Sequence, residues 1–218
     1  MSGGVDSSVT AALLQQKGYE VVGVHLICWD GCENNNDKQD AMRVAARLNI
    51  AFLVWDFRKE YKEAVFDYMI SEYKVGRTPN PDVMCNKEIK FGIFLKKALE
   101  AGADYIATGH YVRLKEARLP LGSRASKLLE AKDLNKDQSY FLWTLTQPQL
   151  RHCLFPIGDY LKSEVRKVAL DAGLPVAEKP DSQGLCFVGK VDFQDFLRGI
   201  LPMREGVVLN SDGEVLGH

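Results

Sequence analysis

Residues 2–28 read SGGVDSSVTAALLQQKGYEVVGVHLIC, and the order of features in this stretch decides the expected fold. Gly3 and Gly4, set among serines, make a turn through which backbone amides can approach an anion closely. The pattern that follows predicts a helix over 7–17, closed by Gly18, where a residue without Cβ takes the left-handed cap. The helix aims its first amides and its dipole at the same turn, so polyphosphate is a natural occupant. The apolar run after Gly18 predicts a strand within 19–28, of the kind buried on both faces.

Working outward, GCENNNDK (31–38) is a polar loop, 40–48 reads as helix and 51–55 as strand, which completes one βαβ unit. A helix is expected over 60–73 and a loop over 76–86, because Pro79 and Pro81 remove donors and restrain the residues before them. A helix then resumes over 87–100. A strand over 104–108 ends at Gly109-His110, and another is expected at 128–131. Helices over 147–153 and 162–172 precede a polar, glycine-containing loop at 178–189. This alternation predicts an α/β fold, a Rossmann-like, mostly parallel sheet with flanking helices.

From Gly206, GVVLNSDGEVLG alternates around an Asp-Gly turn and predicts a hairpin opening a small β-rich domain. The expected division is 1–190 and 191–218. Only Met1 precedes the glycine turn, so the strand expected to carry it is missing, and the closing hairpin has no sheet to join. Both ends therefore read as truncated.

The 218 residues are 46% hydrophobic and 26% charged, which excludes a disordered or fibrous chain. With 28 Lys+Arg against 29 Asp+Glu the net charge is -1, so a nucleic acid would have to meet a local basic surface. No apolar run approaches the ~20 residues of a membrane span, and no secretory signal opens the chain. The expectation is a cytoplasmic protein without membrane contact. Five cysteines at irregular spacing point to reduced thiols rather than a secreted disulfide framework.

The glycine turn ends in neither Gly-Lys-Ser/Thr nor a G-x-G-x-x-G pattern. Hydroxyls of Ser2, Ser7 and Ser8 can add donors, while Asp6 can orient the turn or bind a magnesium ion held by a nucleotide. Thr78-Pro79-Asn80-Pro81-Asp82-Val83-Met84-Cys85-Asn86 places a carboxylate three residues before a thiol. The thiol is expected on a stiff loop immediately before a helix, whose first amides favour thiolate. Lys74, Arg77, Lys87 and Lys90 make the surroundings basic. Cys186, in DSQGLCFVG (181–189), is a second thiol on a loop with glycines on both sides. Cys85 alone also fits simple packing after a proline turn, and Cys186 alone is a weak signal. Together they fit a persulfide carrier and a thiol that resolves it as a disulfide.

The SGGVDSS string resembles the phosphate loop of the PP-loop ATP pyrophosphatases, which implies ATP cleaved between its α and β phosphates. With GRTPNPDVMCNKEIKFG (76–92), ATGHYVR (107–113), NKDQSYFLWTL (135–145) and DSQGLCFVG in that order, the chain closely resembles the tRNA-specific 2-thiouridylase family. The resemblance implies that ATP, with Mg2+, adenylates the 2-carbonyl oxygen of a wobble uridine and that a persulfide sulfur then displaces AMP. Cys186 matches the persulfide carrier and Cys85 the partner nucleophile. Asn80, Pro81 and Asp82 match the segment contacting the target base, with Asp82 an acid/base. Ser2, Gly3, Gly4, Val5, Asp6, Ser7 and Ser8 match the phosphate loop, and Leu26 and Gly109 match positions lining the nucleotide site. His110, Lys136, Asp137 and Gln138 match tRNA-contacting positions. The partners implied are tRNA and, as sulfur donor, a relay protein or a cysteine desulfurase. The rival readings are another AMP-forming PP-loop ligase, which needs neither cysteine, and an ATP- or tRNA-binding fragment without turnover.

Other residues carry no chemistry on this reading. Cys28 and Cys32 lack a second ligand pair for zinc, and no metal site is expected. Cys153, in a helix, and His25 and His152 are structural. Trp29, Trp55 and Trp143 are core or core-edge aromatics. Lys162, Arg166 and Lys167 line a solvated helical face.

Overall fold

Glycine and proline punctuation sets most element boundaries in the computed structural model, which describes residues 1–29, 36–118, 124–181, 193–201 and 206–217. Helix α1 (Val5–Gln16) starts directly after the glycine turn and ends before Gly18, whose φ is +83°. It is buried nearly all round, from Val5 through Leu14, because other elements cover several of its faces. Strand β1 (Val22–Ile27), helix α2 (Asp37–Leu48) and strand β2 (Ala51–Asp56) form the expected βαβ unit, with β1 and β2 parallel and Val22 opposite Ala51. The expectation of a strand buried on both faces fails here. Of β1 only Gly23 is buried, and β2 has no buried residue.

The next helical stretch begins earlier than the pattern predicts. It runs as α3 (Arg58–Tyr61), a π-helical segment (Lys62–Phe66) and α4 (Asp67–Lys74). The loop expected to end at residue 86 ends at Asn80 instead. Helix α5 (Pro81–Met84) continues into a π-helical segment (Cys85–Phe94) and α6 (Leu95–Glu100). Pro81 begins this helix because the first position needs no amide hydrogen and proline already holds a helical φ. The Asn80 side chain accepts the Val83 amide at 3.1 Å and caps the first turn.

A second parallel pair joins β3 (Ile106–Ala107) to β6 (Cys153–Leu154). Cys153 thus lies in a strand; the preceding helix, α7 (Gln147–Leu150), stops short of it. The strand expected at 128–131 is β5 (Arg124–Leu129), antiparallel to β4 (Arg113–Arg118), which sequence reading missed. Helix α8 (Lys162–Asp171) follows, then α9 (Phe193–Arg198) and the short antiparallel pair β7 (Val208–Leu209) and β8 (Val215–Gly217). One apolar cluster joins Val5, Val9 and Leu13 of α1 to Val44 of α2 and Val165 and Ala169 of α8. It fixes the helix that presents the glycine turn.

Candidate active site

The glycine turn is shaped by its own hydrogen bonds. Ser7 Oγ accepts the Ser2 amide at 3.1 Å and donates to Gly4 O at 3.2 Å, and Ser8 Oγ donates to Gly4 O at 2.8 Å. Ser8 is fully buried, so its hydroxyl builds the turn rather than facing outward. Gly4, the N-cap residue of α1, brings no side-chain cap. Gly3 has φ +80°, and a Cβ there would lie 2.1 Å from the Asp37 carbonyl oxygen. Gly109, just past β3, is pressed on the same turn, with an added Cβ 2.7 Å from the Ser7 amide nitrogen. Gly3→Ala is expected to cost about 2–5 kcal/mol, from the left-handed backbone and from the displacement of α2. Thermal unfolding measures this, and an unchanged midpoint contradicts the packing described.

An ionic network surrounds the turn. Asp6 accepts hydrogen bonds from the Tyr111 hydroxyl at 2.8 Å and from Lys162 Nζ at 2.7 and 2.9 Å. The Lys162 side chain is 14% exposed and also reaches Asp181 at 2.8 Å, which is joined by Lys136 and Arg166, each at 2.9 Å. Lys179 Nζ donates to Gly3 O at 3.1 Å and bridges to Asp37 at 2.7 Å and Asp40 at 2.6 Å. Two ammonium groups from one C-terminal stretch, Lys162 and Lys179, thus stand against the glycine turn. The expectation that Lys162 and Arg166 line a solvated face is corrected: both are tied into this network, while Lys167 is exposed.

Burial works against ionisation of Asp181, but hydrogen bonds from Lys162 and Lys136 outweigh it and bring the carboxyl down to about 2. A depressed carboxyl stabilises the fold above its unfolded pKa and loses that contribution as pH falls through the folded value. The stability difference between the protein and Asp181→Asn is therefore expected to be full above about pH 4 and to vanish near pH 2, as read by denaturant midpoints. A difference independent of pH in that window would contradict the network. The Tyr111 hydroxyl is pushed up by burial and then by Asp6, so it stays a donor.

Cys85 sits one helical turn in from Pro81, not on a loop before the helix, which corrects the expected placement. At the fifth helical residue the thiol lies past the first turn, where the dipole effect is concentrated. The side chain is buried, 4% exposed, among Phe57, Tyr61, Val65, Met69 and Ile89. Asp82, three residues earlier, lies on the same helical face. Burial raises the Asp82 carboxyl above its ordinary range, with Lys90 opposing. Cys28, Cys85 and Cys153 form no disulfide among the described residues, and burial pushes the Cys153 thiol up to about 12. Cys186 and Cys32 lie outside the described residues.

Residues 1–190 match the family model described as the tRNA methyl transferase HUP domain. The chain belongs to this family. This HUP domain chain is 50% identical over its full length to the tRNA-specific 2-thiouridylase MnmA of Lysinibacillus sphaericus, of which it covers 59%. It is 54% identical over 96% of its length to that of Christiangramia forsetii, covering 55%, and 51% identical over its full length to that of Halalkalibacterium halodurans, covering 59%. The chain spans about six tenths of the length of these relatives. Among solved structures, an NMN synthetase from Francisella tularensis superposes on 91% of this chain and 74% of its own, with 17% identity and a TM-score of 0.46.

The HUP domain brings only part of the expected constellation together. Asp6, Gly109 and, through Asp181, Lys136 converge on the glycine turn. Asp137 instead accepts the Ala131 amide at 2.7 Å and the Ser139 hydroxyl at 2.6 Å, and Gln138 Oε1 accepts the Tyr111 amide at 3.0 Å. His110 is buried, hydrogen-bonded to Thr108 Oγ1 at 2.8 Å and packed near Phe91 and Phe155. Burial, then Lys90, holds its ring well below the usual histidine pKa. Leu26 packs with the cluster around Cys85, whereas Val5 belongs to the cluster behind the glycine turn.

Sequence reading missed Tyr111, Lys162, Lys179 and Asp181 as neighbours of the turn. Asp181 heads the string that contains Cys186, which was the one local signal available. It also misplaced Trp143, which is 70% exposed. No helix among the described residues is long and apolar enough to cross a membrane.

Proposed function

We propose that this HUP domain is the ATP-using catalytic part of a tRNA 2-thiouridylase. The observation carrying this reading is the glycine turn before an α1 that lacks a side-chain cap, flanked by Lys162 and Lys179, in a chain half identical to proteins named as 2-thiouridylases. Such a turn suits a polyphosphate, since open first-turn amides and nearby ammonium groups favour negative charge. Asp6 and Asp37 are each paired with a lysine, so Mg2+ would enter on the phosphate oxygens of ATP itself.

In the proposed reaction the 2-carbonyl oxygen of a wobble uridine attacks the α-phosphate and pyrophosphate leaves. The oxygen, a poor leaving group on its own, then departs as AMP. The terminal sulfur of a Cys186 persulfide attacks C2 and expels it. Cys85 next attacks the Cys186 sulfur, forming a disulfide and releasing the thiouridine sulfur with the bond's electron pair. Asp82, its carboxyl raised by burial, is suited to exchange a proton beside Cys85. The buried Cys85 thiol reacts only when its surrounding cluster opens, and the π-helical segment starting there is a natural place for that opening. A relay protein or cysteine desulfurase supplies the persulfide, and the base must be splayed from an anticodon loop to enter.

The test incubates the protein with unmodified tRNA, ATP, Mg2+ and a persulfide source. Equal amounts of 2-thiouridine, AMP and pyrophosphate, with 2-thiouridine lost in Cys186→Ala, support the reading. AMP formed on another acceptor without any need for Cys186 would overturn it in favour of a PP-loop ligase.

A further inference from the structure

The helix bearing Asn80, Asp82 and Cys85 is met by a single 3-10 turn, Ser139–Leu142, with Trp143 as its C-terminal cap. In 3-10 geometry residues three apart eclipse one another, so Tyr140 and Trp143 present their rings on one face. Tyr140 and Trp143 are 64% and 70% exposed, two adjacent large aromatics left uncovered by the described fold. Asn86 Nδ2, one residue past Cys85, donates to Phe141 O at 3.2 Å and ties this turn to the Cys85 helix. Between them lies a pocket of about 470 Å³ lined by Asn80, Met84, Lys87, Tyr140, Trp143 and Thr144, among others. Lys87 is exposed at its rim, where it forms a surface ion pair with Glu88 at 2.9 Å, and Thr144 Oγ1 is buried with no hydrogen-bond partner among the described residues.

We infer that Tyr140 and Trp143 form a stacking platform for an unpaired base adjoining the target uridine, with Lys87 taking a neighbouring phosphate. The occupant is argued from chemistry. Exposed aromatic side chains beside a solvent-facing lysine, whose surface ion pair is weak enough to exchange for a phosphate, fit a splayed nucleotide, since single-stranded RNA is held by base stacking and backbone neutralisation. The inference rests on the thiolation reading for its RNA, and it adds a recognition surface that the glycine turn and the two cysteines do not supply.

The test measures binding of an unmodified tRNA anticodon stem-loop to the protein, Trp143→Ala, Trp143→Phe and Tyr140→Ala, with ATP affinity in parallel. Trp143→Ala is expected to weaken RNA binding about tenfold, the loss of one stacked base, with ATP affinity and thermal midpoint unchanged and Trp143→Phe close to the parent. A stem-loop made abasic beside the target uridine should weaken binding to the parent by a similar factor and bind Trp143→Ala no worse than the intact RNA does. Unchanged RNA binding in both alanine variants, or equal abasic losses in parent and Trp143→Ala, would overturn the platform alone. RNA binding intact but sulfur loading impaired would assign the surface to a protein and overturn it too. Absence of RNA binding by the parent would overturn the thiolation reading together with it.

Discussion

With the persulfide loaded beforehand and no reductant added, Cys85→Ala is expected to release on the order of 10³-fold less free 2-thiouridine than the parent, which gives one equivalent per enzyme and stops as the Cys85–Cys186 disulfide, while a single equivalent of AMP is still released by the variant. The reason lies in the order of bond changes proposed above. Cys186 sulfur can displace AMP without Cys85, but the product then stays joined to the enzyme through a C2–S–S–Cys186 link. Without a thiol to attack that link, the product sulfur is not released from the enzyme. The variant should therefore trap tRNA in a covalent adduct that gel electrophoresis detects, and added dithiothreitol should free 2-thiouridine from it. Because Cys85 is buried in the cluster with Phe57, Tyr61 and Met69, the substitution also costs some stability, about 1 kcal/mol. That loss is separable by working well below the unfolding midpoint. Free 2-thiouridine released in the parent's amount without reductant, or no adduct, would remove Cys85 from the mechanism.

The second large effect is expected at Lys162. Its ammonium bridges Asp6 and Asp181 with the side chain only 14% exposed, so Lys162→Met leaves two partly buried carboxylates, 31% and 26% exposed, facing each other without a cation between them. Removing one member of a buried pair is far costlier than the pair's net contribution, because the remaining charge stays desolvated. For a side chain not wholly buried the expected cost is about 2–4 kcal/mol, or roughly 5–15 °C in the thermal midpoint. Among the described residues, Asp181 keeps Lys136 and Arg166, whereas Asp6 keeps only the Tyr111 hydroxyl. Asp6→Asn added to Lys162→Met should therefore restore much of the stability, a coupling that a double-mutant cycle measures. ATP affinity should not return with it, because the cation beside the phosphate loop is still missing. A stable single variant that binds ATP normally would show that neither the turn nor nucleotide binding depends on this bridge.

The two halves of the site differed in how far they could be read in advance. The glycine turn, α1, its stop at Gly18 and the β1–α2–β2 order were legible because each depends on residues adjacent in the chain. Asn80 and Pro81 also carried a local signal, but proline was weighed as a helix breaker although it stood where it starts one. Strand β4, Arg113–Arg118, offered no apolar alternation, and its pairing with β5 is a property of both segments together. Trp143 reads from the sequence as a core or core-edge aromatic, yet exposure depends on what packs over a ring and not on the ring itself.

By itself, then, the sequence determined the α/β class, the phosphate-type turn and the candidate thiols, since backbone freedom at glycine, proline restraint and hydrophobic period act over a few residues. Only the tertiary structure decided which charges meet. Asp6 and Lys162 are 156 residues apart in the chain and 2.7 Å apart in space, and electrostatic attraction depends on the second distance alone.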